Sequence, residues 1–185
     1  MYPDHRVGIF IDIQNIYHSA KNLFQARVNF ETLMKALSKG RSVVRAIAYV
    51  VKSEGIVPHE SGHEGRSEES FFDALRKAGI ELRLKDIQIY PGGAKKADWD
   101  VGLAVDAIRM SDSVDTVILV TGDGDFVPLV EYLKWGMGKK VEVVAFSRTT
   151  SARLKEAADT FTEIESIPKI LLHIKKRKRK NNEKK

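Results

Sequence analysis

Residues Asp115 to Phe126 read D-T-V-I-L-V-T-G-D-G-D-F, an apolar run cut short by two carboxylates with a glycine between them, and few folds have a place for such a stretch. Val117 to Val120 are continuous β-branched and aliphatic residues, as a strand buried on both faces requires. Gly122 and Gly124 permit a sharp turn, and that turn carries Asp123 and Asp125. Phe126, Leu129, Val130 and Leu133 then recur at helical spacing, with Pro128 tolerated in the first turn. The unit is a strand, an acidic turn and a helix. In open α/β sheets that junction is where ligands bind.

The same alternation runs through the chain. Val7 to Ile13, V-G-I-F-I-D-I, is a buried strand with Asp12 at its end, and Ile16, Ala20, Leu23 and Phe24 mark the helical face that follows. Asn29 caps a second helix that buries Phe30, Leu33, Met34 and Leu37 and closes at Gly40. Val43 to Val51 is the next strand. Residues 53–70 are polar, contain glycine and predict an exposed loop, leading into a helix with the stripe Phe71, Ala74, Leu75 and Ala78 that ends at Gly79. Ile80, Leu82 and Leu84 alternate with polar residues, as an edge strand does.

Pro91-Gly92-Gly93 breaks the chain before a helix whose buried stripe is expected to be Val101, Ala104, Val105 and Ile108. Val141 to Phe146 predicts a strand, Ser151 to Ala158 a short helix and Phe161 to Ile164 a last strand. Strands alternating with helices predict a three-layer α/β fold: a central, mostly parallel sheet of five or six strands, flanked by helices and joined by right-handed crossovers. No internal repeat or second domain is visible. One domain is expected over residues 1–165, with a short helix or linker and a disordered basic tail over 166–185.

A length of 185 residues with 43% apolar and 30% charged side chains suits one soluble domain with a sizeable core. With no cysteine, a disulfide framework and a thiolate zinc site are excluded. The first apolar run is interrupted by Asp12 and lacks a small-residue cleavage site, and no run nears the roughly 18 apolar residues of a membrane span. The expectation is a cytoplasmic chain with no membrane partner. The net charge of +6 is unevenly placed. Residues 175–185 hold eight Lys or Arg against one Glu, so taking their +7 from the total leaves about −1 for the remainder. A basic block of this kind suits a polyanion, nucleic acid first, although it also reads as a solubilising tail.

Two motif matches fail on context. His59-Glu60-Ser61-Gly62-His63 spells H-E-x-x-H, which binds zinc only on a helix that sets both imidazoles on one face; Pro58, Ser61, Gly62 and Gly65 argue for a loop instead. Asp123-Gly124-Asp125 echoes the start of a calcium loop, but Val127 stands at the fifth position and Pro128 replaces the glycine at the sixth. Trp135 and the 53–70 stretch are candidate interface features, through which the chain could form a homo-oligomer. Packing on its own helix is the commoner fate of a tryptophan.

The strand and helix pattern brings Asp12, Asp100, Asp123 and Asp125 from three parts of the chain to one edge of the sheet. Clustered carboxylates repel one another unless a cation neutralises them, and oxygen ligands without His or Cys select Mg²⁺ or Mn²⁺ over zinc. Helix capping is the competing role for Asp98 and for Asp125. Asp106 lies six residues beyond Asp100, about 9 Å along a helix at about 1.5 Å per residue, and is a supporting residue at most.

Three stretches, F-I-D-I-Q-N, K-A-D-W-D-V-G-L-A-V-D and T-G-D-G-D-F, resemble the NYN domain, over about residues 6–164. NYN domains, including the LabA-like group, are similar to PIN and FLAP nucleases. The resemblance therefore implies a PIN-like fold with an acidic metal site that cuts RNA. It implies Asp12, Asp100, Asp123 and Asp125 as catalytic and metal-holding residues, with Asn15 orienting them and Thr121 standing where the group has Ser or Thr. The group's commoner K-G-x-D spacing is replaced by Lys96-Ala97-Asp98-Trp99-Asp100, which leaves open whether Asp98 or Asp100 is the ligand.

The implied activity is Mg²⁺- or Mn²⁺-dependent hydrolysis of phosphodiester bonds, with single-stranded RNA as substrate. Lys95 and Lys96, and the run Lys175, Lys176, Arg177, Lys178, Arg179 and Lys180, are the expected grip on the backbone. The alternative is a non-catalytic RNA-binding or regulatory adaptor that retains the fold. A small-molecule phosphoryl enzyme, the third class, has no use for a basic tail and here lacks a P-loop.

Overall fold

The computed structural model describes residues 5–52, 64–85, 88–89, 95–96 and 99–173, with the backbone alone for 64–68, 88–89 and 95–96. In chain order the elements are β1 (Arg6–Asp12), α1 (Ile13–Phe24), β2 (Ala26–Val28), α2 (Phe30–Ser38), β3 (Ser42–Val51), α3 (Glu64–Lys77), β4 (Glu81–Lys85), β5 (Gln88–Ile89), β6 (Lys95–Lys96) and α4 (Asp100–Ser111). There follow β7 (Thr116–Val120), a 3₁₀ turn (Gly124–Phe126), α5 (Val127–Glu131), a π turn (Tyr132–Gly136), β8 (Lys140–Ala145), α6 (Ala152–Ala157), β9 (Thr160–Glu163) and β10 (Leu171–His173).

Six strands form one sheet in the order β4-β3-β1-β7-β8-β9, and every adjacent pair is parallel. Side chains alternate across it, because successive residues of a strand point to opposite faces. Val7, Ile9 and Ile11 of β1 enter one core with Ile13, Ile16 and Ala20 of α1, Leu33 and Leu37 of α2 and Leu75 of α3. Phe10 enters the other, with Tyr49, Val117, Leu119, Leu103 and Ala107 of α4, Leu129 and Val130 of α5 and Leu154 of α6. The fold is thus three-layered α/β. Each large apolar side chain removed from water contributes about 1.5–3 kcal/mol, so two full cores hold the sheet between its helices.

Local signals set several boundaries. Asn29 accepts the Thr32 N–H at 3.1 Å and caps α2. That helix closes one residue earlier than its glycine predicts, at Lys39 with φ 40, ahead of Gly40 at φ 77. The helix expected to begin near Phe71 begins at Glu64, inside the stretch read as loop. A separate two-stranded sheet, not expected from the sequence, joins Ala26–Val28 antiparallel to Leu171–His173. In place of a short helix or linker beyond residue 165, the chain returns there to the body, with Asn29 N–H donating to the Ile170 carbonyl at 2.8 Å.

The largest correction concerns α4. Its buried residues are Leu103, Ala107 and Ser111, while two members of the expected stripe, Val101 and Val105, are 73% and 45% exposed. The helix is apolar on most sides, so helical spacing alone fits two stripes equally well. Trp99 decides between them by packing on Gly102, where a Cβ would stand 2.6 Å from Trp99 Cε3.

Candidate metal centre

The strand order reverses between β1 and β7, and in a sheet of this kind the crevice at that reversal, beyond the carboxyl ends of the strands, is the place for a ligand. Ile11 pairs with Val120, so the next residues, Asp12 and Thr121, leave the sheet side by side. Thr121 is buried, and its hydroxyl joins the two acidic strand ends. It donates to Asp12 Oδ2 at 3.2 Å and accepts the Asp123 N–H at 3.3 Å. Asp12 Oδ1 accepts the Asn15 N–H at 3.1 Å, which caps α1. Asn15 returns the tie, its Oδ1 accepting the Gly122 N–H at 2.9 Å.

Beyond that frame the chain turns sharply. Asp123 Oδ1 accepts the Asp125 N–H at 2.9 Å and caps the 3₁₀ turn that leads into α5. The turn lies tight against the segment between β8 and α6. A Cβ on Gly122 would stand 2.9 Å from Thr150 Oγ1 and 3.1 Å from Thr150 Cα, and one on Gly124 would stand 2.8 Å from Ser151 Oγ. Glycine is required at both positions by close approach. Ser151 N–H donates to the Gly122 carbonyl at 3.0 Å across the same contact.

Asp100 arrives from the other side as the first residue of α4. Trp99 anchors that helix start: its indole N–H donates to the Val50 carbonyl at 3.1 Å, and its ring meets Tyr49 edge-on at 5.6 Å between centroids. Carboxylate oxygens of Asp100, Asp123 and Asp125 consequently lie within 4.8 Å of one another. Oxygens of one octahedral Mg²⁺ at about 2.1 Å stand about 3.0 Å apart when adjacent and about 4.2 Å apart when opposite, so closing the set onto one ion takes side-chain adjustments of up to about 2 Å. Asp125 is exposed and free to make them. An all-oxygen donor set of three carboxylates fits a hard divalent cation.

Asp12 is not part of this trio, although the Thr121 hydroxyl ties it to the Asp123 backbone. Burial pushes its carboxyl above the ordinary carboxylate range, and the Asp123 charge adds to that, against the hydrogen bonds from Asn15 and Thr121. Asp106 is turned elsewhere: Tyr49 OH donates to its Oδ2 at 2.9 Å, and the Arg83 guanidinium lies 3.5 Å from the same oxygen. Lys95 and Lys96 form β6, which pairs with β5, but their side chains are outside the described residues, as are Asp98, the 59–63 motif and the cations from Lys175 to Lys180. The residue at the α4 cap position is Trp99, which makes no side-chain cap bond. Trp135, in the π turn, is 84% exposed and does not pack on its own helix.

Thr150 and Ser151 were not legible as site neighbours. Their one signal is S-R-T-T-S directly after a strand that ends at the same edge of the sheet. Among the described residues no helix is long and apolar enough to cross a membrane.

A family model of the NYN domain matches residues 6–165. An uncharacterised protein of Methanocaldococcus jannaschii is 24% identical over 163 residues, covering 87% of this chain and 56% of that protein. The low amplitude and bright protein LabA of Synechococcus elongatus is 23% identical over 108 residues, covering 55% of this chain and 58% of that protein. The chain thus spans just over half the length of these curated relatives. Among solved structures, a protein of unknown function from Vibrio parahaemolyticus superposes with a TM-score of 0.81 at 32% identity, covering 93% of this chain and 99% of that one.

Proposed function

We propose, from the premise that this chain belongs to the NYN domain family, part of the PIN-like nuclease superfamily, that it is a metal-dependent ribonuclease acting on single-stranded RNA. The observation that carries the proposal is the convergence of Asp100, Asp123 and Asp125 at the reversal of strand order. These three would hold Mg²⁺ or Mn²⁺, with Asp12 as the fourth carboxylate. Bound there, the ion would supply a Lewis acid for the scissile phosphate and an activated water. The rest is positioning by this chain's own groups. Thr121 and Asn15 fix the acidic turn to β1 and α1, so that Asp123 presents its carboxylate without reorganising. Trp99 does the same for Asp100 from the side of β3.

A panel of end-labelled single-stranded, duplex and hairpin RNAs, incubated with Mn²⁺ and with EDTA, tests this reading. Cleavage of the single-stranded members that stops in EDTA supports it. Binding without cutting in any metal leaves an adaptor, and no interaction with RNA removes nucleic acid altogether.

The basic tail is assigned to substrate affinity. If residues 175–185 neutralise about four phosphates, truncation after Ile174 flattens the slope of log affinity against log salt by roughly 3, from about 0.7 for each phosphate of a single strand. The truncated protein is expected to show a raised KM and an unchanged kcat, because the tail grips substrate and transition state alike. An unaltered salt slope and KM would show that the tail serves something other than RNA.

A further inference from the structure

The segment Ser147 to Ser151 closes one side of the acidic turn, and its own polar groups are nearly all committed to holding it there. Thr149 Oγ1 meets Ser19 Oγ of α1 at 2.9 Å, and Thr150 Oγ1 donates to the Phe146 carbonyl at 2.7 Å. Glu165 accepts the Ser147 N–H at 3.0 Å, while Lys155 Nζ donates to the Ser147 carbonyl at 2.7 Å and to its hydroxyl at 3.0 Å. Ser151 N–H completes the tie to Gly122. Such a segment is a rigid shelf, and a shelf is what precise placement of a substrate group needs.

Two cations are uncommitted here, Arg148 on the shelf and Arg153 on α6 just after it. Arg148 lies two residues before Thr150, and Arg153 two residues after Ser151. Both are exposed, and among the described residues neither has an ion pair or hydrogen bond. Other exposed arginines pair with carboxylates, as Arg6 does with Asp115, Arg45 with Glu81 and Arg76 with Glu69 and Asp73, although among the described residues Arg27 on β2 does not. Here the nearest turn of the chain carries Asp123 and Asp125, yet the arginines do not pair with them. Two arginines carried within two residues of Thr150 and Ser151, which pack on the acidic turn, suit a ligand that is itself anionic and repelled by the carboxylates, which describes the phosphodiester backbone.

We infer that Arg148 and Arg153 form a phosphate clamp that seats the RNA backbone next to the scissile bond. The inference rests on the ribonuclease reading and assigns the grip that reading needs within the folded domain, independent of the tail. The clamp contacts phosphates flanking the reacting one and reads no base.

The test uses the full chain with Arg148→Gln and Arg153→Gln together, a charge-conserving Arg148→Lys with Arg153→Lys control, and a labelled oligouridylate. Affinity is measured by fluorescence anisotropy in EDTA over a range of salt, and cleavage by single turnover in Mn²⁺. The glutamine pair is expected to bind on the order of ten-fold more weakly and to lose roughly 1.4 from the salt slope, about 0.7 for each of two phosphates. The lysine pair keeps the slope. Wild-type protein that cuts the RNA, alongside a glutamine pair with unaltered affinity and salt slope, overturns the clamp alone. Wild-type protein that neither binds nor cuts RNA overturns the ribonuclease reading and the clamp with it.

Discussion

Asp123→Asn is expected to cut divalent-dependent RNA cleavage by about 10²- to 10³-fold while the fold survives. The asparagine oxygen can still accept the Asp125 N–H that the Asp123 carboxylate accepts now, so the 3₁₀ turn keeps its cap. What it loses is one negative charge of three from a set whose oxygens lie within 4.8 Å. Stabilisation of transition-state charge by a bound divalent ion amounts to several kcal/mol, and at about 1.4 kcal/mol per tenfold a fall of about 10²- to 10³-fold in kcat is expected. Asp100→Asn should behave alike. Asp106→Asn is the contrasting variant, because that carboxylate serves Tyr49 and Arg83 on the face of the sheet. Its kcat should match wild type. Equal rates in wild type and Asp123→Asn, measured under single turnover, would remove the acidic turn from the chemistry.

Asp12→Asn is expected to melt higher than wild type in the absence of metal. Burial and the neighbouring Asp123 charge hold the folded Asp12 pKa above its unfolded value, so the ionised form opposes folding. The penalty is full above the folded pKa. It is relieved as pH falls through that value toward the unfolded value of about 3.9, and an asparagine never incurs it. The gap in melting temperature between variant and wild type should therefore be widest near neutral pH and narrow on acidification. Relief of that penalty raises the melting temperature by about 2–4 °C per kcal/mol for a chain of this size.

Mn²⁺ should reverse the order. Wild type gains about 2.7 kcal/mol at a hundredfold excess of ion over its Kd, and the variant, one carboxylate short, gains less. Differential scanning calorimetry with and without millimolar Mn²⁺ checks both halves. A wild-type melting temperature indifferent to Mn²⁺ would contradict the account.

Much of this was readable from residue order because the strands carry their own punctuation. β1 and β7 are apolar runs, each ended by an aspartate or by a threonine and glycines, and parallel pairing then places those ends together without further information. Asp12 and Asp123 follow from that alone. Thr121 and Asn15 were implied only by the resemblance to the NYN domain; in the structure Asn15 lies one turn beyond Asp12 on the helix that Asp12 caps.

What pattern could not supply depended on tertiary contacts. The rotation of α4 is set by Trp99 packing on Gly102, and a helix apolar on several faces does not reveal its phase. β2 and β10 are each three residues long, too short for alternation to register, and exist because they pair with each other. The shelf after β8 escaped notice because two of its ties, the Thr149 hydroxyl to α1 and the Ser151 N–H to the acidic turn, join segments far apart in the chain. Its two glycine partners were read as turn formers, whereas the close approach of Thr150 and Ser151 is the stronger demand on them.

The most direct measurement of the central claim is anomalous diffraction from a crystal of this protein soaked in Mn²⁺. The account predicts a peak among the carboxylates of Asp100, Asp123 and Asp125, at about 2 Å from at least two of them, and its loss in Asp123→Asn. A well-occupied Mn²⁺ elsewhere, with the acidic turn left empty at millimolar ion, would contradict it.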